Sequence, residues 1–407
     1  MAHDIAGSPV ERLPWAGKQV RIEEVDTMLS SLWKMSADNM RTGANLNVRT
    51  SVLNLVICAP DIESARSASK LLRDLASTHI ARVTLVILDQ RADAPDVLKT
   101  WVTLRCFSMI SDLMRHCFEQ TTLLISGRAT RALSKTLPTV LKAHLPVYLW
   151  WIGDTRGTDE AIFHDLAAHC QRAVVDSTTF LQPEPDLRSL ASYGKIARTV
   201  ALSDLNWGRL TSWRQLIAQF FDVPEYVACL TDIERIEIEY VATPAKHTGS
   251  AESSEAMPDP TGALLLAGWL KAQLKMSLDP EQAQNVRDTH TGTYQWTLNL
   301  PASEKQTLMH VQPREQADLR PGSIYLVRLT CKTGNKRAIF TITRDGTSDY
   351  VLTSVEAAQE ARPMRTVNLP DRDVESEMLR NELEIMVHDQ LFEQALQELA
   401  LLIEEEK

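Results

Sequence analysis

Short apolar segments of strand length recur along the first half of this 407-residue chain and alternate with helical patterns. Ser51–Ala59 (SVLNLVICA) and Arg82–Asp89 (RVTLVILD) are almost continuously apolar, as expected of strands that are covered on both faces. Pro60 and Asp61 follow the first segment, and a helical pattern then extends to about Ser77. Further strand candidates are Trp101–Phe107, Thr121–Ser126, Pro146–Ile152 and Ala173–Asp176. This alternation predicts an α/β fold with an open, mainly parallel sheet and flanking helices.

The second half of the chain has a different pattern. Residues 242–262 are rich in Ser, Pro, Thr and Gly, which is typical of a linker. An apolar helix is predicted at Gly262–Leu274, and helices are predicted again from about Val374 to Ile403. Between them, short turns separate four strand-like runs: Thr293–Leu300, Gln306–Val311, Ile324–Cys331 and Arg337–Thr343. Strands joined by short turns are antiparallel. We therefore predict an α/β domain over residues 1–241, a linker over 242–262, and an α+β domain with an antiparallel meander and terminal helices over 263–407.

The net charge of −10 is concentrated at the end of the chain. Residues 371–407 contain twelve acidic and three basic residues. A general nucleic-acid binder needs a basic surface, so this balance argues against one. The acidic helical tail has two interpretations. In the first, which is the commoner outcome for a run of like charges, the tail packs on its own domain with its glutamates in water. In the second, it offers its apolar stripe or its acidic face to a partner.

The chain is expected to be cytoplasmic. The N-terminus lacks the basic and apolar regions of a secretory signal, and the apolar runs are too short to span a membrane. None of the six cysteines forms a C-x-x-C pair. Because a reducing compartment disfavours disulfides, we expect structural thiols, while a thiol switch formed by Cys106 and Cys117 stays an open alternative.

Patterns that indicate a cofactor or a metal are missing from the sequence. No G-x-G occurs among the fifteen glycines, so the dinucleotide fingerprint is absent, and no complete P-loop is present. The histidines and cysteines show no ligand spacing typical of a metal site. Gly153–Gly157 follows a strand, where a nucleophile elbow would lie, but Thr155 stands in place of the serine. We therefore predict that the chain has no catalytic, cofactor-binding or metal-binding residues and that it is not an enzyme.

The segment Asp204–Asp222 (DLNWGRLTSWRQLIAQFFD) combines two tryptophans with two arginines. Trp and Arg are the residue types that most often anchor protein–protein contacts. Ser212 and Gln215 have the spacing of a capping box, which predicts a helix start at this point. We predict partner-binding roles for four residues: Trp207, Arg209, Trp213 and Arg214. Packing of the tryptophans in the core is the alternative.

Trp150 and Trp151 are adjacent on a predicted strand, so their rings point to opposite faces of the sheet. One ring can serve the core while the other reaches a surface. Both residues are therefore added to the predicted partner-binding set, with cover by the flanking helices as an equally weighted alternative.

The chain resembles the glucose-6-phosphate dehydrogenase assembly protein family, OpcA. The resemblance is carried by RTSVLNLVI (Arg49–Ile57), LPVYLWWIGD (Leu145–Asp154), DLNWGRLTSWRQLIAQF (Asp204–Phe220) and LLLAGWLKAQL (Leu264–Leu274). The Asp-Leu-Asn-Trp string with its downstream Arg-Leu-Thr and Trp-Arg is long and uncommon, which makes it specific. The second half also fits the family's C-terminal domain, although without a comparably sharp motif.

The resemblance implies a non-catalytic activator that binds glucose-6-phosphate dehydrogenase, favours its active oligomer and promotes the oxidative pentose phosphate pathway. No cofactor is implied. Two other classes stay open, namely a structural subunit of a metabolic complex without kinetic effect and an enzyme acting on a sugar phosphate or nucleotide. An enzyme would require a polar pocket at the carboxyl ends of the sheet strands.

Overall fold

The computed structural model describes residues 15–38, 46–48, 51–75, 81–91, 93–108, 114–155, 158–242, 259–278, 286–301, 305–316, 319–333, 336–346, 349–357, 360–369, 375–385 and 387–404. The strands, in chain order, are β1 (Lys18–Val20), β2 (Leu46–Val48), β3 (Leu53–Ala59), β4 (Ala81–Asp89), β5 (Val97–Ser108), β6 (Met114–Ser126), β7 (Val147–Trp151), β8 (Arg172–Val175), β9 (Ala201–Asp204), β10 (Ile233–Ala242), β11 (Ser277–Leu278), β12 (Val286–Asp288), β13 (Thr293–Asn299), β14 (Gln306–Glu315), β15 (Ile324–Thr333), β16 (Lys336–Arg344), β17 (Tyr350–Ala357) and β18 (Glu360–Asn368). The α-helices are α1 (Val25–Asp38), α2 (Ile62–Leu75), α3 (Leu133–Val140), α4 (Thr158–Ala167), α5 (Pro183–Ile196), α6 (Leu205–Arg209), α7 (Thr211–Gln219), α8 (Pro224–Val227), α9 (Thr261–Gln273), α10 (Glu375–Glu384) and α11 (Gln390–Leu402).

The chain forms two compact units whose segments alternate along the sequence. The first unit contains Met1–Val175, Ala197–Leu202 and Glu375–Val387, and the second contains Asp176–Ile196, Ser203–Val374 and His388–Lys407. Residues 243–258 of the predicted linker lie outside the described residues. The predicted domain limits, 1–241 and 263–407, stay a prediction.

The first sheet has the strand order β1-β5-β6-β4-β3-β7-β8-β9, with β2 beside β6. The central pairs β6–β4, β4–β3, β3–β7 and β7–β8 are parallel, whereas β5 is antiparallel to β6 and to β1. Every side chain of β3 is buried, as are nearly all of those of β4, which explains their continuous apolar sequence. The predicted mainly parallel sheet is therefore confirmed. The chain leaves β3 on one side for β4 and returns on its other side as β7, so the carboxyl ends of β3 and β7 form the switch point of the sheet.

The first helix of the acidic tail, α10, packs in the first unit on α2. Leu379 and Leu383 are its buried apolar contacts. The buried Arg172 of β8 anchors the end of this segment, because its Nε donates to the Ile385 carbonyl at 3.0 Å and its Nη2 to the Val387 carbonyl at 2.5 Å. This part of the tail is therefore docked, but on the first unit and not on the predicted 263–407 domain.

One expectation about the cysteines is wrong. Cys106 of β5 and Cys117 of β6 lie directly opposite each other in the antiparallel register and form a disulfide, with their Cα atoms 4.0 Å apart. The sequence spacing alone did not reveal that these two positions would be cross-strand partners. Cys58 and Cys331 are free and buried, as expected.

The second sheet has the order β11-β13-β14-β10-β15-β16-β17-β18, with β12 beside β13. Its pairs are antiparallel except β10–β14, which is parallel. The predicted antiparallel character of this sheet is therefore confirmed, but the meander is interrupted, since β10 lies between β14 and β15. β10 precedes the predicted linker in sequence, yet it lies at the centre of the sheet that the later strands build.

Two helices, α9 and α11, pack closely together in the second unit. The first eleven residues of α9 are all buried, and α11 contributes buried apolar residues that include Phe392 and Leu399. Lys271 of α9 forms an ion pair with Glu398 of α11. The indole of Trp296 donates to the Leu402 carbonyl at 2.9 Å and so anchors the end of α11 on the sheet. The second tail helix is therefore docked as well.

Over the described residues, none of the helices combines the length and the apolar character that crossing a bilayer requires.

The contact between α9 and α11 depends on the missing side chain of Gly268. A Cβ atom at this position would lie 2.4 Å from the Ala395 carbonyl oxygen and 2.7 Å from the Leu399 Cβ, so the helices would have to move apart. We expect Gly268→Ala to lower the free energy of unfolding by about 1–3 kcal/mol, the usual cost of overpacking. Gly208→Ala in α6 is the matched control, since a Cβ there meets nothing within 4 Å. The midpoints of urea denaturation measure both effects, and equal midpoints for the two variants would contradict this packing.

Candidate functional site

The Asp-Leu-Asn-Trp-Gly-Arg segment begins with a buried carboxylate that binds two main-chain amides. Asp204 precedes α6, and its Oδ1 accepts the N–H of Asn206 at 2.9 Å and the N–H of Ser177 at 3.0 Å. The first bond caps α6, and the second fixes the short 3-10 helix Ser177–Thr179. One fully buried carboxylate oxygen therefore positions two chain segments that lie 27 residues apart.

The environment of Asp204 favours its protonated form. Burial, and then the nearby carboxylate of Asp176, raise the pKa of Asp204 to about 7, although the amide bonds act in the opposite direction. Its second oxygen, Oδ2, has no hydrogen-bond partner among the described residues. Asp176 itself is bound by Arg209, whose two terminal nitrogens each donate to a carboxylate oxygen at 2.8 Å. Such a bidentate pair holds the guanidinium in a single orientation.

Asn206 connects this region to α9. Its Nδ2 donates to the hydroxyls of Ser177 and Thr261, each at 3.0 Å, and Thr261 is the first residue of α9. The Thr261 N–H and hydroxyl in turn bind Asp259. We refer to Asp176, Ser177, Asp204, Asn206 and Thr261 as the Asp204 cluster. All of these residues are buried, so their polar groups contribute to stability only because they bind one another.

Trp207 connects α6 to the second tail helix. Its Nε1 donates to Asp389 Oδ2 at 2.8 Å, while Asp389 Oδ1 accepts the Phe392 N–H at 3.0 Å and caps α11. The Trp207 ring also packs on Phe392, with centroids 5.7 Å apart. The guanidinium of Arg214 lies 3.5 Å from the centre of the same ring, in a cation–π arrangement. Burial lowers the pKa of Arg214 to about 10, so the side chain stays charged at neutral pH.

Trp213 is buried on α7 and lies beneath the guanidinium of Arg344, 6.0 Å from its ring centre. The predicted capping box before it is wrong. α7 begins at Thr211 with Leu210 at the cap position, and no side chain bonds that helix start. The reason is that α6 runs almost directly into α7, so Asp204 caps the pair and Ser212 is already inside a helix.

Trp150 and Trp151 lie in the first unit on β7 and are also buried. The Trp151 indole donates to the Asp154 carbonyl at 2.7 Å and packs edge-on against Phe163. The exposed fractions of Trp150, Trp151, Trp207 and Trp213 are 1%, 2%, 3% and 3%. Such burial agrees with the alternative that these tryptophans pack in the core. Their direct contact with a partner stays a prediction.

Of the predicted residues, the structure brings Trp207 and Arg214 into direct contact and places Arg209 on Asp176. Sequence reasoning missed the residues that hold this arrangement, namely Asp176, Asn206, Thr261 and Asp389. The one available signal was Asp204 itself, since an Asp immediately before a helix is a preferred cap. The partners of Asp204 and Trp207 come from distant parts of the sequence and give no local signal.

The switch point of the first sheet is where an open α/β fold would bind a dinucleotide, but its residues do not fit a pyrophosphate. Such a group needs free amides at the helix N-terminus and glycines that allow its approach. Here Pro60 follows β3, and the Asp61 carboxylate already accepts the Ser64 N–H at 2.8 Å and the Ser64 hydroxyl at 3.1 Å. Glu63 adds a second negative charge in the first turn of α2.

The nearby Gly153–Gly157 segment does not present a nucleophile. Thr155 is buried, and Arg156 and Gly157 lie outside the described residues. Within the described part of the chain, no group of three or more His, Cys, Asp or Glu side chains is placed to hold a metal ion.

Comparison with known proteins gives two family matches in sequence order. Residues 72–192 match the model described as glucose-6-phosphate dehydrogenase subunit N-terminal domain, and residues 200–396 match the corresponding C-terminal domain. Together the matches cover more than half of the chain. The chain belongs to this OpcA family. The Asp204 cluster residues Asp204, Asn206 and Thr261, together with Trp207 and Asp389, lie within the C-terminal match.

Among the relatives of this OpcA chain, the OxPP cycle protein OpcA of Nostoc punctiforme is 35% identical over 159 residues, which are 39% of this chain and 30% of that protein. The protein of the same name from Synechocystis sp. is 33% identical over 124 residues, which are 30% of this chain and 26% of that protein. The matched stretches thus span less than a third of the length of these relatives. Among solved structures, the 3-ketoreductase KijD10 of Actinomadura kijaniata has a TM-score of 0.44 at 11% identity, covering 86% of this chain and 95% of its own, and a similarity at that level carries no functional information.

The raised pKa of Asp204 predicts a pH-dependent stability. Since the folded-state pKa lies above the unfolded value, Asp204 stabilises the fold fully below about pH 4, and this contribution is lost as the pH rises through about 7. Asn at position 204 keeps an oxygen for both amides but carries no charge. We expect the free energy of unfolding of the wild type to fall relative to Asp204→Asn between pH 5 and 8, by at most about 1.4 kcal/mol per pH unit.

Urea denaturation of both proteins across this pH range measures the difference. Glu356→Gln, at an exposed position on β17, is the control for loss of one negative charge. If wild type and Asp204→Asn keep a constant difference in stability from pH 5 to 8, the proposed electrostatics of Asp204 is wrong.

Proposed function

We propose that this chain is a non-catalytic activator that binds glucose-6-phosphate dehydrogenase in the cytoplasm and favours its active oligomer. The observation that carries the proposal is the pair of family matches, because the N-terminal and C-terminal domains of a glucose-6-phosphate dehydrogenase subunit match this chain in order. Favouring the active oligomer would promote the oxidative pentose phosphate pathway.

Activation by binding requires a difference in affinity. A protein that bound the active and the inactive forms of the dehydrogenase equally well would shift no equilibrium. The chain must therefore make contacts with the active form that the inactive form does not offer. An ordered surface also avoids the entropy cost of ordering loops on binding.

The Asp204 cluster supports this role because its polar groups are used within the fold. Asp204 binds two amides, Asn206 binds two hydroxyls, and Arg209 is paired with Asp176. Apart from Asp204 Oδ2, these groups bind partners within the fold, which supports a scaffolding role. The scaffold fixes α6, α9 and the start of α11 relative to one another within the second unit.

In this proposal the predicted contact residues divide into two kinds. Arg214 lies at a half-buried position and supplies polar contact to the dehydrogenase, whereas Arg209 is paired with Asp176 and belongs to the scaffold. Trp207 and Trp213 hold in place the helices that carry the arginines. In the first unit, Trp150 or Trp151 holds the end of β7 in place. The cation–π contact with Trp207 orients Arg214 and lowers the entropy that it loses on binding.

The test is an assay of the dehydrogenase from the same organism with and without this chain. We expect the chain to raise the rate or to lower the substrate concentration needed for half-maximal rate, and to stabilise the active oligomer in analytical ultracentrifugation. Co-purification without any kinetic effect would indicate a structural subunit instead. Turnover of a sugar phosphate or nucleotide by the chain alone would indicate an enzyme and contradict the proposal.

Arg214→Ala tests the contact residues in the same assay. We expect weaker activation with a loss of folding stability of only about 1 kcal/mol, the size of a partly exposed cation–π contact. Arg337→Ala is the matched control, since Arg337 is an exposed cation on β16 of the same unit. Equal activation by the two variants would remove Arg214 from the proposed contact surface.

A further inference from the structure

Three buried polar atoms at neighbouring positions of the first sheet have no hydrogen-bond partner among the described residues. They are the Oγ1 atoms of Thr84 on β4 and Thr121 on β6, and the Nε of Arg82 on β4. Both threonines are fully buried, and Arg82 is nearly so. A buried polar group without a partner destabilises a fold, and such groups in proteins almost always have one. Three of them in one place therefore indicate a bound polar ligand.

The strand register places the three groups on one face of the sheet. β4 and β6 are parallel, and Thr84 lies directly beside Thr121. Side chains that are neighbours in a parallel pair point to the same face, and so do side chains two residues apart on one strand, such as Arg82 and Thr84. Glu119, two residues before Thr121, completes the group on this face, with its Oε2 3.7 Å from Arg82 Nη1.

The surrounding side chains offer the two hydroxyls little to bind. On three sides the neighbours are apolar and buried: Val56 of β3, Val102 of β5, Val86 of β4 and Leu123 of β6. On the fourth side lie Arg82 and Glu119. The hydroxyls of Thr84 and Thr121 therefore face each other across a polar spot that is closed on its other sides by apolar groups.

Helix α1 covers this face and uses the charged pair as its anchor. Trp33 Nε1 donates to Glu119 Oε1 at 2.8 Å, and Asp26 forms an ion pair with Arg82. The positive charge of Arg82 is thus already balanced by two carboxylates, those of Asp26 and Glu119. A further anion would be repelled by these carboxylates, so the electrostatics of the spot favours a neutral ligand.

The spacing of the two hydroxyls fits one water molecule. Neighbouring strands are about 4.8 Å apart, so equivalent side-chain atoms on them are separated by about the same distance. This is too far for a direct hydrogen bond, but a water that makes two bonds of about 2.8 Å holds its partners about 4.5 Å apart. Buried waters typically make about three hydrogen bonds to groups that have no other partner, and this spot offers three such groups.

We propose that an ordered water binds between β4 and β6, where it accepts the N–H of Arg82 Nε and bridges the hydroxyls of Thr84 and Thr121. A hydroxyl both donates and accepts, so one water satisfies all three groups. The water extends the polar group that anchors α1 on the sheet, because Arg82 belongs to both. This site goes beyond the proposed function and does not depend on it.

The first experiment is a crystal structure of the full chain at a resolution that shows ordered waters, from crystals grown in bromide. We expect a water about 2.8 Å from both hydroxyls and about 3.0 Å from Arg82 Nε. A direct bond between the two hydroxyls, or a site without density, would overturn the proposal. An anomalous bromide signal between Thr84 and Thr121 would identify a halide site and would overturn it as well.

The second experiment is a double-mutant cycle that follows the midpoint of urea denaturation. Thr84→Val and Thr121→Val are made separately and together. We expect each single variant to have a lower midpoint than the wild type, and the double variant to lose less than the sum of the two, because both substitutions act on the same water. Thr84→Val with Thr122→Val is the control pair, since Thr122 lies on the opposite face and its hydroxyl accepts from Gln120 at 3.0 Å. Additive effects in both pairs would contradict the shared water.

Discussion

The second unit depends on one interaction, namely the bonds of the Asp204 carboxyl group to two main-chain amides. A buried carboxylate is costly unless its oxygens find donors, and here a single oxygen accepts two amides from separate segments. Breaking this arrangement would release the starts of two helices and leave Asn206 without its orientation towards Thr261. The chemistry of one side chain therefore determines how a 3-10 helix, α6 and α9 meet.

The Asp-Leu-Asn-Trp string gains a physical meaning from these contacts. Asp204 caps, Asn206 connects α9, Trp207 connects α11, and Arg209 neutralises Asp176. Each position requires a particular set of donors and acceptors with a particular shape. Since the side chains act together, a substitution at one position would leave buried polar groups on the others without partners. The string is thus part of the structural core of the second unit.

Much of the architecture could be predicted from the sequence, because buried parallel strands produce continuous apolar runs and meander strands are separated by short turns. β3, β4 and β13 to β16 were predicted in this way. β10 was missed, although Ile233–Ala242 alternates between buried and partly exposed residues, because its partners are strands that lie far ahead in the chain. The Cys106–Cys117 pair was named only as an open alternative, because its disulfide depends on a strand register that the sequence does not show. Trp207 was singled out by residue type, which cannot distinguish an anchor for a partner from an anchor for a helix, and its bond to Asp389 is of the second kind. Its contact with a partner stays a prediction.

The central claim is that this chain lends an ordered surface to one state of a partner enzyme. Its most direct test is the affinity of the chain for glucose-6-phosphate dehydrogenase held in its active oligomer, compared with its affinity for the dissociated enzyme under the same buffer conditions. The account predicts tighter binding to the active oligomer, with a ratio of affinities equal to the shift that the chain produces in the assembly equilibrium. Equal affinities for the two forms would contradict it.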